Sequence, residues 1–490
     1  MTEPELDRPL RANRLRPNVL GVGGLVFMVI AVTAPLTAVA SNLPLSLGLG
    51  IGIGTVGAIV VIAIVFAFFS AGYIAISRQV VNSAAYYAYI GFGLGRRAGA
   101  VAAMIAMLAY NTAVAVAAEL VGYFGAAFLA DEFGLQVPWW ALAAVCIGLV
   151  FWIGVVGVSL TAKVAAWVAI TEFALLIALF VSVLIQRPSG FTLDVFVPSN
   201  VFHGNIGLGL VFVFVSFAGY EAAAIYGEEA RGAKDNVGRA TYLSLGLLTG
   251  IFALVTWTLV AAVPDVVATA AADPGAILTS VASQYLGGWI GPIILVMIIF
   301  SFFAAALSFH AMASRYIFAT AREGYIPKQL ANCHPVRRTP VAAGIAQTVV
   351  CAILIVPFAV AGIDPLTGFL PAIGGMNTLG VMVLLIACSA SIIVASLRGK
   401  LTTSLWAGRI APALSIVFFA VITFLVVREY SSVTGTDSLA VNLMPILLLA
   451  VAVYGWIVGG RRGSLDFDID PTQVSATEAP PGKNRQAASD

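Results

Sequence analysis

The sequence predicts an all-α membrane protein of about twelve transmembrane helices, two of them broken near mid-membrane. Three observations carry that prediction. Of 490 residues, 60% are hydrophobic and only 10% are charged, with a mean hydropathy of +1.00. A soluble chain carries about 25% charged residues. Apolar runs of membrane-crossing length recur along almost the whole sequence. The basic residues also sort by side. Of the 25 Lys and Arg, only Arg187 and Arg428 fall on the outer side, leaving 23 on the side of the N-terminus. A bias of that size supports twelve crossings with both chain ends in the cytoplasm.

Taken in order, span 1 is Val19–Pro44. Arg8, Arg11, Arg14 and Arg16 precede it as they would a signal peptide, but the apolar run outlasts a signal core of roughly 7–15 residues, so it reads as a retained helix. Span 2, Leu49–Ile76, opens with Gly50, Gly52 and Gly54. No Lys-Ser/Thr follows them, so they are helix-packing glycines and not a phosphate loop. Span 3 is Ala98–Leu129, where the spacing of Asn111 and Glu119 puts both on one face. Span 4 is Trp139–Leu160, and span 5, Val164–Ile185, has Glu172 as its charged residue. Span 6 is Asn205–Gly227 and span 7 is Ala240–Val263. The longest outer loop, Pro264–Tyr285, leads to span 8, Gly288–Ala319, which holds His310. The longest inner loop, Thr320–Thr339, precedes span 9, Val341–Ala361. Spans 10, 11 and 12 are Leu366–Leu397, Ile410–Val427 and Leu439–Val458. Gly463 to Asp490 is rich in Asp, Pro, Ala and Ser and reads as a disordered cytosolic tail. Cys146, Cys333, Cys351 and Cys388 form no CxxC and no disulfide-like pattern, which fits small apolar side chains.

Two spans carry residues that a membrane helix avoids. The stretch VFVFVSFAGYEAAAIYGEEARG, Val211 to Gly232, is loosened at Ser216, Ala218 and Gly219 and then places Glu221 near mid-span. An acidic residue there costs about 2.5–3.5 kcal/mol on insertion. Span 1 contains VIAVTAPLTAVASNLP, in which Pro35 removes a backbone donor and Thr33 and Thr37 flank it. Broken backbone is tolerated at membrane depth only where it faces protein or a wet cavity. Two interrupted helices five spans apart point to a secondary transporter built from inverted repeats. Freed N–H groups and half-helix N-termini suit a carboxylate, and freed carbonyls suit an ammonium.

The same stretches resemble the amino acid–polyamine–organocation superfamily. FVSFAGYEAAAIYGEEARGAKDNVGRA is similar to its sixth-helix signature, and VTAPLTAV to its broken first helix. SAAYYAYIGFGLGRRAG (Ser83–Gly99) resembles the amphipathic loop before the third helix, and LAYNTAVA that helix itself. Phe309–Ala343 resembles the end of the eighth helix and its loop. The likeness runs in order from about Leu15 to Lys400. It implies a cytosolic arm (1–18), a first repeat of spans 1–5 (19–187), a second of spans 6–10 (205–398), two appended helices (409–460) and a cytosolic tail (461–490). It also implies a substrate pocket at the two breaks, lined by spans 3, 8 and 10. A substrate carboxylate would meet Thr33, Ala34, Pro35, Leu36 and Thr37. Its ammonium would meet carbonyls around Ile30, Ala31, Ser216, Phe217, Ala218 and Gly219, with Asn111 on the facing side. Relatives place a large aromatic lid where this chain has Val215, so Phe214, Phe217 and Tyr220 are the substitutes here. Some proton-coupled relatives carry a Lys midway along the fifth helix, where this chain offers Glu172.

Glu221 is the first candidate for a proton-linked residue, against a structural role in pinning the unwound segment. Glu172 is a candidate proton or cation site. His310 titrates near neutrality but sits close to the inner end of span 8, which favours packing or a gate hydrogen bond over a proton relay. Glu228, Glu229 and Arg231 are expected to form an inner salt-bridge gate with Arg315 or Arg322. The expected protein is a permease in the cytoplasmic membrane, importing an amino acid or related small amine by alternating access. A proton is the expected coupling ion, with sodium or exchange as alternatives. Few acids in the inferred pocket favour a neutral amino acid over a polyamine or ethanolamine-type amine, although Glu119 and Glu172 could serve either. No enzyme chemistry, cofactor, metal or nucleic-acid partner is expected, since no HExxH, Walker or serine-elbow motif occurs. The readings from other classes are a polytopic membrane enzyme and a transporter-like sensor.

Overall fold

The computed structural model describes residues 15–428, 430–431 and 439–460. Most of the expected N-terminal arm and the whole tail from 461 lie outside the described residues. Within them, twelve helices are long and apolar enough to cross a membrane. They coincide in order with the twelve apolar runs, with end shifts that have local causes. Gly157, at φ 135°, ends span 4 at Val156, so span 5 starts at once, at Val158. Span 7 starts early, at Ala233, because Gly232 at φ 54° ends the preceding turn and the solvated Lys234–Arg239 segment already winds as helix. Span 8 runs on to Arg322, whose guanidinium is fixed by an ion pair. Span 10 begins at Leu370, after a wide turn over Pro365–Phe369.

Burial separates a core from a rim. Span 1 and span 3 are 78% buried over their apolar windows, whereas spans 4, 5, 9, 11 and 12 are 33% or less. The rim spans expose Trp152, Trp167, Val417 and Trp456, as helices facing lipid do. Span 3, Arg96–Phe133, packs against spans 8, 10 and 12 and against the short helix Ala85–Leu94, which is buried on nearly every side and so is not amphipathic as the resemblance implied.

Both breaks are present. Span 1 is helical over Val22–Thr33 and again over Pro35–Ala40. Between them Ala34 sits at φ 45°, ψ 71°, a left-handed conformation that interrupts the helix. The hydroxyls of Thr33 and Thr37 donate to the carbonyls of Ile30 (2.9 Å) and Ala34 (2.7 Å), satisfying groups beside the break. Span 6 is helical from Ile206 to Ser216, turns at Phe217–Gly219 with Gly219 at φ 93°, and resumes as a tight helix over Tyr220–Ala224. The two breaks touch. A β-carbon on Gly219 would overlap the side chain of Val32, with Val32 Cβ 3.1 Å away.

Candidate functional site

The first cluster lies on the span 1 break. The Leu36 N–H, just past Pro35, donates to Glu172 Oε2 at 3.4 Å. Glu172 reaches it from span 5 and is buried. A donor freed by a proline and a carboxylate four spans away are thus brought together.

The second cluster surrounds Glu221, whose side chain is buried at the start of the tight helix. Tyr110 of span 3 donates its hydroxyl to Glu221 Oε1 at 3.0 Å. Tyr73 of span 2 donates to the Glu221 backbone carbonyl at 3.2 Å. Glu221 Oε2 has no hydrogen-bond partner. Around this carboxylate stand Tyr86, whose N–H donates to the Tyr316 hydroxyl (3.0 Å), and Tyr316, whose ring lies 5.3 Å from that of Tyr110. The hydroxyls of Tyr86 and Tyr220 also lack partners. Among the described residues no ion pair neutralises Glu221. A buried carboxylate with no counter-ion is costly to keep charged in apolar surroundings.

The third cluster closes the basic side of the bundle. Glu229 accepts from Arg315 Nε at 2.6 Å, and both side chains are buried. Arg315 also lies over the Tyr226 ring at 4.6 Å. Glu228 takes a two-pronged bond from Arg322, at 2.9 and 3.3 Å, and the Ser83 N–H at 2.9 Å. The Glu229 carbonyl accepts the N–H groups of Val19 (2.8 Å) and Leu20 (3.0 Å), fastening the chain's entry to the end of span 6. The expected pairing of Glu228 and Glu229 with Arg322 and Arg315 is therefore present. Arg231 stands outside it, donating instead to the Asn18 carbonyl at 2.9 Å.

The remaining candidates are spread around these clusters. Phe214, Phe217 and Tyr220 stack about Phe66 of span 2, at 5.3, 5.5 and 4.4 Å, with Phe419 of span 11 behind. Their rings are thus held on the face of span 6 turned to spans 2 and 11. Ser216 bonds back to the Phe212 carbonyl at 3.0 Å. Asn111 donates to Met107 O at 2.7 Å, and its Oδ1 has no partner. Glu119, two turns along span 3, is fully buried with neither oxygen bonded. His310 stands apart from both glutamates: its Nδ1 meets Gln347 Oε1 on span 9, and its ring is edge-on to Phe151 of span 4. Of the tyrosines about Glu221, Tyr220 was among the expected residues, and Tyr73, Tyr86, Tyr110 and Tyr316 were not. Tyr110 precedes Asn111 and Tyr86 is the second residue of the AYYAYI run, but a sequence gives no reason to aim either at span 6.

Comparison with known proteins adds three findings. A family model described as amino acid permease matches residues 20–451. An uncharacterized transporter of Mycobacterium tuberculosis is 31% identical over 164 residues, covering 33% of this chain and 36% of that protein. A cationic amino acid transporter 4 of Homo sapiens is 27% identical over 204 residues, covering 40% of this chain and 31% of that protein. The chain thus spans about a third of the length of these curated relatives.

Proposed function

Because this chain belongs to the amino acid permease family, we propose that it is a secondary active transporter importing an amino acid by alternating access, coupled to a proton at Glu221. The observation that carries the proton assignment is the isolated, half-bonded carboxylate of Glu221 under the span 6 break. In this reading the basic side is cytosolic, and spans 1–5 and 6–10 are inverted repeats in the cytoplasmic membrane. The substrate carboxylate docks at the span 1 break around Thr33 to Thr37. There it competes with Glu172 for the Leu36 N–H, and a proton compensates the displaced Glu172. The substrate ammonium meets carbonyls around Ile30, Ala31, Ser216, Phe217 and Gly219. Opening inward requires parting Glu229 from Arg315 and Glu228 from Arg322.

The test is uptake into proteoliposomes of a panel of labelled amino acids and polyamines, under an inward pH gradient and, separately, an inward sodium gradient. Accumulation driven by the pH gradient supports the reading. Accumulation driven only by sodium, flux that needs internal substrate, or binding without flux each defeats it.

A cationic side chain is the second reading of substrate, favoured by Glu119. That carboxylate is buried, unbonded and on the same helix as Asn111, and one relative is named a cationic amino acid transporter. Glu119→Gln is expected to lower uptake of lysine or arginine at least about tenfold relative to a neutral amino acid, the effect of losing about 1.4 kcal/mol of charge pairing. An unchanged lysine-to-neutral ratio rejects it.

The gate has its own pH signature. Burial disfavours the Glu228 charge, but the Arg322 guanidinium and the Ser83 contacts outweigh it and hold the carboxyl below its ordinary value. A lowered value makes the pair's stabilisation complete above the ordinary carboxylate range, and lost only as pH falls through the lowered value. Glu228→Gln is therefore expected to change the transport rate while leaving any pH midpoint between about 6 and 8 in place. A shifted midpoint would show that Glu228 titrates in that window.

A further inference from the structure

Before span 1 the chain crosses the basic side of the bundle, and it is fastened at both ends of that crossing. Leu15 is 3% exposed, whereas Arg16, Pro17 and Asn18 are exposed. The Leu15 side chain is seated in an apolar socket separate from the main core. Ile317, Phe318 and Ala321 of span 8 form it, with Ala331 and with Ala343 of span 9. The three span 8 residues stand between Arg315 and Arg322, the two cations of the gate. Downstream the chain is bonded to the other side of that gate. Val19 and Leu20 donate to the Glu229 carbonyl, the Leu20 carbonyl accepts the Arg231 N–H at 2.8 Å, and Leu20 pairs with Ala230 as a parallel bridge. The Arg231 guanidinium holds the Asn18 carbonyl at 2.9 Å. One residue, Gly21, then leads into span 1 at Val22. Between the bonded Asn18 and the seated Leu15 only Arg16 and Pro17 remain to take up any parting of span 6 from span 8. The proline ring fixes one of their four backbone dihedrals.

We propose that residues 15–20 are an autoinhibitory strap. With Leu15 seated they tie span 6 to span 8, and the basic side opens only when Leu15 leaves its socket. The strap rests on the reading that this side opens during alternating access, but not on the substrate or the coupling ion. It acts beside the two ion pairs and by different physics. The pairs are electrostatic, whereas the strap holds by apolar burial, which salt does not screen. Returning one leucine side chain to water shifts such an equilibrium by about ten- to hundredfold. Because the socket is separate from the main core, emptying it leaves the rest of the packing in place.

The experiment is hydrogen–deuterium exchange of the full purified chain in detergent, read at the amides of the tight helix Tyr220–Ala224, which make no hydrogen bond to the strap. Leu15→Ala is expected to speed their exchange at least about tenfold, and Leu15→Met, which refills the socket, to leave it native. A lock supplies the converse. Cys333 packs against the same socket, and the other three cysteines are buried. In Leu15→Cys a short reducible reagent that joins two thiols is expected to tie the strap down. Exchange then stays at or below the native rate and proteoliposome uptake stops, and reduction reverses both. A merely structural anchor would leave uptake intact when locked. If the native protein moves no substrate, the transport reading fails while the exchange comparison still decides the strap. Native exchange in Leu15→Ala, or native uptake with the strap locked, would overturn the proposal.

Discussion

Glu221→Gln is expected to abolish accumulation driven by a pH gradient while substrate-for-substrate exchange persists. Glutamine keeps the size of the side chain and can still accept the Tyr110 hydroxyl at the position of Oε1, 3.0 Å away in the native protein. It replaces Oε2, the oxygen without a partner, by an amide that neither gains nor loses a proton. The packing around spans 2, 3 and 6 is therefore conserved, and only the proton exchange is lost. Tyr110→Phe is the complementary variant: it removes one donor, a loss of about 1.5–3 kcal/mol for a bond to a charged group, but leaves the carboxyl able to titrate. Its expected result is a shifted pH midpoint with accumulation retained. Measured side by side in proteoliposomes, the two separate a coupling role from a structural one. If Glu221→Gln accumulates substrate as the native protein does, Glu221 only pins the unwound segment. If both variants fail to bind substrate, the Tyr110–Glu221 bond is a support of the fold.

The fold was legible because membrane insertion forces its rules onto the sequence. Every crossing needs an apolar run, and every loop is sorted by charge, so the twelve spans could be delimited without knowing what any helix touches. The breaks were legible for the same reason, since Pro35, Gly219 and Glu221 have no place in an uninterrupted span. The pairing at the basic end was legible as chemistry, because four charges at the ends of spans 6 and 8, two of them buried and two half-buried, are best held by neutralising one another. What the sequence hides is azimuth. Glu172 meets the Leu36 N–H, and Tyr110 meets Glu221, because of how spans 5 and 3 are rotated about their axes. With mean hydropathy this high, nearly every face of such a helix is apolar, and periodicity does not say which face turns inward. His310, for which the sequence favours packing or a gate hydrogen bond, turns its ring to spans 4 and 9, a direction the sequence does not give.

Gly219→Ala is expected to destabilise the protein and stop transport, and Val32→Ala is expected to restore only part of the loss. Two independent costs meet at this residue. At φ 93° the backbone is in a region that glycine enters freely and alanine enters at about 1–2 kcal/mol. The added β-carbon also overlaps the Val32 side chain, and overpacking of this kind costs about 1–3 kcal/mol. Together they amount to about 2–5 kcal/mol, enough to lower the thermal midpoint by several degrees. Shortening Val32 to alanine removes its Cγ1 from the overlap but leaves its Cβ at 3.1 Å, and it does nothing for the dihedral. The double variant should therefore recover the packing share and keep the strain share, giving a thermal midpoint between native and single variant. Full recovery would mean that the turn tolerates alanine and that Gly219 is needed only for the close approach of spans 1 and 6. No recovery would mean that the left-handed turn alone holds the two breaks in register. In either case the breaks are one mechanical unit, because the conformation of span 6 and its contact with span 1 are set at the same residue.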